Sequence, residues 1–517
     1  MGLLDEVVEG TERAAREASS RLERFLSART TVEALRVWLD PRAGEPPPTR
    51  ESVLRRLALD VARIDALLEA QVNAILHHPQ FQALESAWRG LRLVVDDVPD
   101  EASQLARDIR DPRFRAKEYP YPQVMVRVLS VSWRELARDF ERALEVDQSQ
   151  IFHKVYSEEL GSPGGWPFCA LLGDYHVAHR PRPEDKVDDI NVLHGMSEVA
   201  AAAFAPFFVS AHPTLLGLES FVELERPLDL ARDMQPTTHP EYVRWDRFRA
   251  GEDARFVGVV LPRVLLRRPW PNDPARRDRF RFREHCRIHS EYLWGNAVYA
   301  FGTVLLRSYF DNGWLAAIRG IEAAGGGGLV DTLAECWLPS DSRGVAARGA
   351  VEVQITDTRE KELSNLGLIP LCRLPGTPFS AFYSCSSAQR PARFDTPEAD
   401  ASSKLSAMMH YILCASRFAH YLKVMGRDAT GSFVSAEQVE QLLNAWLVRY
   451  TADAEDLPEE RRKEYPLAEG RAEVSEDRRK PGSYTSRFYL RPQFQIDDMA
   501  TTVRLRTEIV PRGERRR

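Results

Sequence analysis

His285 and His289, four residues apart, are the first side chains in this 517-residue chain whose type and spacing could do chemistry. On a helix, two imidazoles at i and i+4 are close enough to share a metal ion. The segment between them, Cys286-Arg287-Ile288, lacks the glutamate of an HExxH site, and no nearby Cys/His cluster offers a third ligand. The pair therefore reads as surface or partly buried histidines. Gly325–Gly328 is the next candidate, since glycine runs can cradle phosphate. A phosphate loop also needs a lysine and a hydroxyl for the phosphate and Mg²⁺ chemistry, and Leu329-Val330-Asp331 follows here instead. No GxSxG nucleophile elbow occurs. Asp188-Asp189 and Asp497-Asp498 have the character of helix starts or solvated turns. His77-His78, just before Pro79, suits a helix C-terminus, where a cation complements the dipole.

Between Arg263 and Arg287 there are nine arginines and three acids, with Trp270, Phe280 and Phe282 interleaved. Arginines among aromatics can bind phosphates and stack bases. Against that, the whole chain has Lys+Arg 70 and Asp+Glu 76, a net charge of −6, and no nucleic-acid motif. Arg276, Arg277, Arg279, Arg281 and Arg283 are better read as a basic patch that docks an acidic protein surface. The six cysteines are scattered and none forms a CxxC, the usage of reduced thiols in a cytoplasmic protein. No apolar run approaches the ~18 residues of a membrane span, and Met1–Glu6 has no secretory pattern. These readings imply no cofactor, no metal, no nucleic acid and no membrane insertion. Nothing in the chain demands catalysis.

The elements that carry these residues form an α/β order. A charged helical stretch fills the first 40 residues, and Pro41–Pro48 breaks the chain. A helix is expected from about Glu51 to His77, capped by Thr49, with Val53, Leu57, Ile64, Leu67, Leu68, Val72 and Ile75 on its buried face. After Pro79, the residues Phe81, Leu84, Trp88, Leu91 and Val95 step along one helix face. Strands are expected at Val124–Leu129, Phe168–Leu172, Phe207–Ser210, Phe256–Leu261, Trp314–Ile318, Val351–Thr356, Ile369–Arg373 and Phe379–Ser384. Helices alternate with them around Trp133–Leu144, Asp188–Phe204, Glu291–Phe310 and Asp357–Gly367, which predicts a mixed or largely parallel sheet. Asp357 and Glu360 make a capping-box pattern. Two helices, about Ala399–Met425 and Ala436–Tyr450, precede a tail of period-2 strands, Arg471–Glu476, Tyr484–Leu490 and Thr502–Val510. Strands at a chain end form a candidate exposed sheet edge.

Several stretches also resemble a known family. They are Phe81-Gln-Ala-Leu-Glu-Ser-Ala-Trp88-Arg89-Gly90-Leu91; Tyr292-Leu293-Trp294-Gly295-Asn296-Ala297, running on to Ala300-Phe301; Gly313-Trp314 through Arg319-Gly320; Ile355-Thr356-Asp357; Glu362-Leu363-Ser364-Asn365-Leu366-Gly367-Leu368-Ile369-Pro370-Leu371; Ser416-Arg417-Phe418-Ala419-His420-Tyr421-Leu422-Lys423-Val424; and Leu490-Arg491-Pro492-Gln493-Phe494-Gln495. Their order resembles the large subunit of the type VI secretion contractile sheath, from about Leu3 to Val510.

That resemblance implies a multi-domain α/β (α+β) tail-sheath fold with mixed sheets, N-terminal helices and C-terminal strands shared between subunits. Its divisions would be 1–48, a helical segment and Pro-rich linker; 49–370, the main α/β domain with a helix pair; 371–510, a C-terminal sheath domain; and 511–517, a basic tail. The implied role is structural and not enzymatic. The large subunit pairs with a small sheath subunit, and the heterodimers stack as six-fold rings around an inner tube on a baseplate. Contraction then drives tube and spike into a target cell. The inter-subunit strands would carry Tyr484, Phe488, Leu490, Val503, Leu505 and Ile509. An AAA+ unfoldase that dismantles the contracted sheath would read a helix beginning near Leu3, Leu4, Val7 and Val8, ahead of which little chain stands. A sheath component of a phage-like or extracellular contractile injection particle is the alternative within this resemblance. A metal-dependent enzyme built on His285/His289 is the alternative outside it.

Overall fold

The structure is a computed structural model. It describes residues 22–39, 49–96, 124–162, 164–182, 186–271, 275, 280, 282–321, 326–339, 346–375, 377–429, 435–452, 465–476, 484–492 and 503–509, of which 337–339, 346–348, 428–429, 476, 484 and 503–509 are described by backbone alone. The chain divides into two compact units, Met1–Leu76 with Trp270–His285, and His77–Pro269 with Cys286–Arg517.

The first unit is built on helices α1 (Thr31–Leu39) and α2 (Arg50–Leu76). Thr49 starts α2, its hydroxyl accepting the Ser52 N–H at 3.2 Å. Trp38 Nε1 donates to Asp60 at 3.1 Å, tying the two helices together. The apolar positions expected to be buried on α2 are not: the helix has no buried residue.

The second unit follows from two continuous apolar runs. Phe207–Ala211 and Val257–Leu261 are buried at every position, as strands covered on both faces must be. They are β2 and β3 of a six-stranded sheet. The others are β1 (Leu171–Val177), β4 (Leu329–Val330), β5 (Ile369–Arg373) and β6 (Ser380–Phe382). The order is β1-β2-β3-β5-β6-β4, parallel from β1 to β5 and antiparallel beyond. Alternate residues separate the two cores. Phe207, Val209, Val257, Val259 and Leu261 join the core around helix α5 (Asp189–Ala203), while Phe208, Val260 and Ile369 join the one around helix α6 (Ala297–Asn312).

Tertiary contacts displace several expected elements. Helix α4 (Trp133–Arg142) buries Trp133 and Leu136 as its periodicity demands, but the run before it, Val124–Leu129, forms no strand. The first strand lies at Leu171–Val177 and not Phe168–Leu172. Trp314–Ile318 and most of Val351–Thr356 are buried or nearly so without being strands. Helix α7 (Asp357–Asn365) has Thr356 as its N-cap instead of Asp357, and Glu360 accepts from the Ser384 hydroxyl. The long helix expected from Ala399 splits into α8 (Pro397–Ser406) and α9 (Met409–Ala429). At the break, Ser387 N–H reaches Ala407 O at 2.9 Å and Met409 N–H reaches Cys385 O at 2.8 Å, so backbone groups that would continue the helix bond a neighbouring strand end. Gly326–Gly328 also serves the sheet. Phe382 N–H donates to Gly328 O at 2.9 Å, and a Cβ on Gly328 would stand 2.1 Å from Phe382 O.

Candidate assembly surfaces

Helix α9 is the beam on which the C-terminal part of the second unit is mounted. Toward that part it presents Cys414, Phe418 and Leu422, which join Val439, Leu443 and Leu447 of helix α10 (Ala436–Val448) in one core. Phe418 stacks on Trp314, centroids 4.4 Å apart. Toward the large sheet it presents Met409, Ile412 and Leu413, which join the core around α6, and further along it ties neighbouring segments by polar atoms. His420 Nε2 lies 2.7 Å from Ala203 O at the end of α5, and Arg427 donates to Ser162 O. Lys423 donates to the Tyr156 hydroxyl at 2.8 Å, within a π-helical turn at His153–Leu160.

Three C-terminal strands complete that core: β7 (Leu467–Glu476), β8 (Tyr484–Pro492) and β9 (Val503–Ile509), antiparallel in the order β7-β8-β9. Phe488 and Leu490 are buried against α9 and α10. Val503, Leu505 and Ile509 stand in register opposite Leu490, Phe488 and Tyr484. The two edges of this sheet differ. At β7, Asn444 of α10 both accepts from Ala472 N–H and donates to Ala472 O, each at 2.8 Å, and Glu440 accepts from Val474 N–H at 2.9 Å. Side chains of α10 therefore occupy that edge, one of the ways a protein blocks strand addition. On the far side of β9 no strand lies among the described residues.

Two helices, α2 and the one that follows it, carry stripes of exposed apolar residues. On α2, Leu54, Leu57, Val61, Ile64, Leu68 and Ile75 are exposed. With Gln71 between the last two they step alternately by three and four residues, the spacing of a coiled-coil seam. Helix α3 (Pro79–Asp96) docks by an unexpected face. Gly90 and Val94 are its buried positions, with Gly90 so near the Tyr299 ring that a Cβ would stand 2.2 Å from it. Glu85 binds Arg89 at 2.7 Å and Arg267 at 2.8 Å. The stripe of Phe81, Leu84, Trp88 and Val95 points outward, Trp88 being 66% exposed.

The candidate chemistry disperses. His285 pairs with Glu69 at 3.0 Å, and His289 stacks on Trp294, centroids 4.8 Å apart. Neither lies on an α-helix, so the helical i, i+4 geometry does not arise. No disulfide joins any of the cysteines, and burial pushes the Cys372 and Cys414 thiols up to about 12, away from reactive thiolate character. Arg283 is exposed. Arg276, Arg277, Arg279 and Arg281, like Leu3, Leu4, Val7 and Val8, lie outside the described residues. Among the described residues no helix is long and apolar enough to cross a membrane. Sequence periodicity found the apolar helices but missed Asn444 and Glu440, whose role depends on α10 lying along β7.

A C-terminal sheet whose β7 edge is occupied by α10 side chains, with no strand beyond β9 among the described residues, and helices with exposed apolar residues are features of a building block for a larger assembly. The chain belongs to the EvpB/VC_A0108 tail sheath family: residues 59–109 and 114–389 match its tail sheath N-terminal domain, and residues 398–509 its gpW/gp25-like domain. It is similar to the type VI secretion system sheath protein TssC1 of Pseudomonas aeruginosa, at 35% identity over 505 residues, which is 96% of this chain and 95% of that protein. It is a large subunit of the type VI secretion contractile sheath, a structural protein that assembles with other sheath components.

Proposed function

We propose that this chain pairs in the cytoplasm with a small sheath subunit. The pairs stack as six-fold rings on a baseplate, into a cylinder around an inner tube that contraction propels. An AAA+ unfoldase then dismantles the contracted form. The observation that carries this reading is the asymmetric C-terminal sheet, closed at β7 by Asn444 and Glu440 and, among the described residues, without a partner strand beyond β9. Strand addition at one edge links neighbours through main-chain hydrogen bonds, so the link can survive rotation of the subunits it joins. The strands bearing Tyr484, Phe488, Leu490, Val503, Leu505 and Ile509 would supply it. The seam on α2 supports pairing with a helical partner. Since no cofactor is invoked, the energy of contraction would reside in the extended lattice itself.

Co-expression with the small sheath subunit encoded beside it, followed by negative-stain electron microscopy, tests this. Hollow tubes with a six-fold cross-section are expected, and Leu505→Pro is expected to abolish them while the chain stays soluble. Compact particles only, across salt conditions, would overturn the reading; normal tubes from Leu505→Pro would remove β9 from it.

A further inference from the structure

The parallel strands β1, β2 and β3 end side by side, and basic side chains gather past those ends. Register sets His176 of β1 beside Ser210 of β2, and Ser210 beside Val260 of β3. His212 follows the last residue of β2, and Arg263 stands two residues past β3. β1 reaches this register through a bulge, in which Gly173, Asp174 and Tyr175 oppose Val209 alone. Bulges of this kind re-aim side chains beside functional sites. Open α/β sheets hold their ligands in the crevice outside the carboxyl ends of the strands.

His176, Arg182, His212 and Arg263 are all half-buried. Arg263 grips Glu352 through Nε at 2.7 Å and Nη2 at 2.6 Å. This carboxylate is wholly buried and also lies 3.9 Å from His289 Nδ1, so it is already committed. Among the described residues no carboxylate pairs with Arg182, and neither ring nitrogen of His176 has a hydrogen-bond partner. His212 Nδ1 accepts the Thr214 N–H at 3.3 Å, which leaves the proton of the neutral ring on Nε2. Loss of water, and then the charges of Arg263, His212 and Arg182, push the His176 imidazole down to about 3. Basic groups drawn out of water beside one another cost stability until an opposite charge joins them.

We infer that the carboxyl ends of β1, β2 and β3, with His176, Arg182, His212 and Arg263, form a binding site for an oxyanion, a phosphate or carboxylate group. Arg182 brings a guanidinium whose planar fork matches either group, and the imidazoles bring N–H donors. Glu352 cannot fill this role, since Arg263 and His289 hold it. Two sources share the chemistry: a free phosphate compound, and an acidic side chain of a neighbouring subunit.

Titration of the full chain with inorganic phosphate, read by calorimetry and by thermal unfolding against chloride of equal ionic strength, tests this. One saturable site is expected, with its affinity lowered at least ~10-fold by Arg182→Gln, as loss of a charge-assisted contact requires. Arg180→Gln is the control, because Glu241 already holds that guanidinium at 3.1 Å; it is expected to bind phosphate as the unsubstituted chain does. Without phosphate, Arg182→Gln is expected to unfold no earlier than the unsubstituted chain, since it removes an unpaired like charge. Earlier unfolding would make Arg182 a structural group and overturn its assignment. Repeating the titration on the complex with the small sheath subunit separates the sources. Binding retained there supports a free oxyanion, and binding lost there supports a carboxylate of the neighbouring chain. No saturable effect beyond that of chloride, or equal losses from Arg180→Gln and Arg182→Gln, would overturn the inference.

Discussion

Lys423 and Tyr156 meet twice: the ammonium donates to the phenol oxygen at 2.8 Å and lies 4.5 Å from the centre of its ring. Tyr156 belongs to the stretch matching the tail sheath N-terminal domain, and Lys423 to the stretch matching the gpW/gp25-like domain. The contact therefore rivets one domain to the other, four residues from Arg427, which holds the carbonyl of Ser162. Together these two side chains make polar contacts between the two matched stretches within one compact unit.

Replacing Lys423 by Met keeps the aliphatic stem and removes both interactions. A loss of about 1–2 kcal/mol is expected, the sum of a modest hydrogen bond and a cation–π contact. Urea titration followed by tryptophan fluorescence measures it, and an unchanged midpoint would show that the joint rests on the apolar contacts alone.

Gly90 is the second test, because it trades helix propensity against packing. Alanine favours a helix over glycine by about 1 kcal/mol, yet its Cβ would stand 2.2 Å from the Tyr299 ring. Overpacking of about 1–3 kcal/mol is expected to win, so that Gly90→Ala lowers the melting temperature and opens α3 to proteolysis. A more stable Gly90→Ala variant would mean that Tyr299 yields easily.

Acid stability provides the third. His410 and His420 are 1% and 2% exposed, and burial first of all pushes both down to about 3. Unfolded, they would titrate near the ordinary value of about 6.5. Between those limits the unfolded chain binds the extra protons. The contribution of these histidines is therefore fully present above about pH 6.5 and is lost as pH falls toward 3, at about 1.4 kcal/mol per pH unit for each. His420→Gln can still donate to Ala203 O and should lower the slope of stability against pH in this window by one proton. An unaltered slope would show that His420 is solvated in the folded chain.

Much of this architecture is legible in the residues themselves. Phe207–Ser210 and Phe256–Leu261 read as strands from composition, and the structure has them one residue off or nearer. The three tail strands are legible from alternation, the start of α2 from Thr49, and the end of α7 from Gly367, whose φ of +78° suits only glycine easily. The family blocks acquire physical reasons. Gly90 and Gly302 let α3 and α6 approach, a Cβ on Gly302 lying 3.2 Å from Val94, while Gly295 faces Leu266.

Sequence alone thus determined which residues are apolar, at what period, and where the chain turns, because those depend on neighbours a few positions away. Only the tertiary structure decided which apolar faces the chain covers itself. Trp88 and Gly90 sit on one helix, and periodicity favoured the tryptophan side as the packed one; the Tyr299 ring and the Glu85–Arg267 ion pair turned the glycine side inward. Val128 has the sequence of a sheet interior and the exposure of a surface residue. A hydrophobic pattern states that a face must leave water, and it cannot state whether the partner lies in the same chain. That depends on how the sheet and its helices meet across long stretches of sequence.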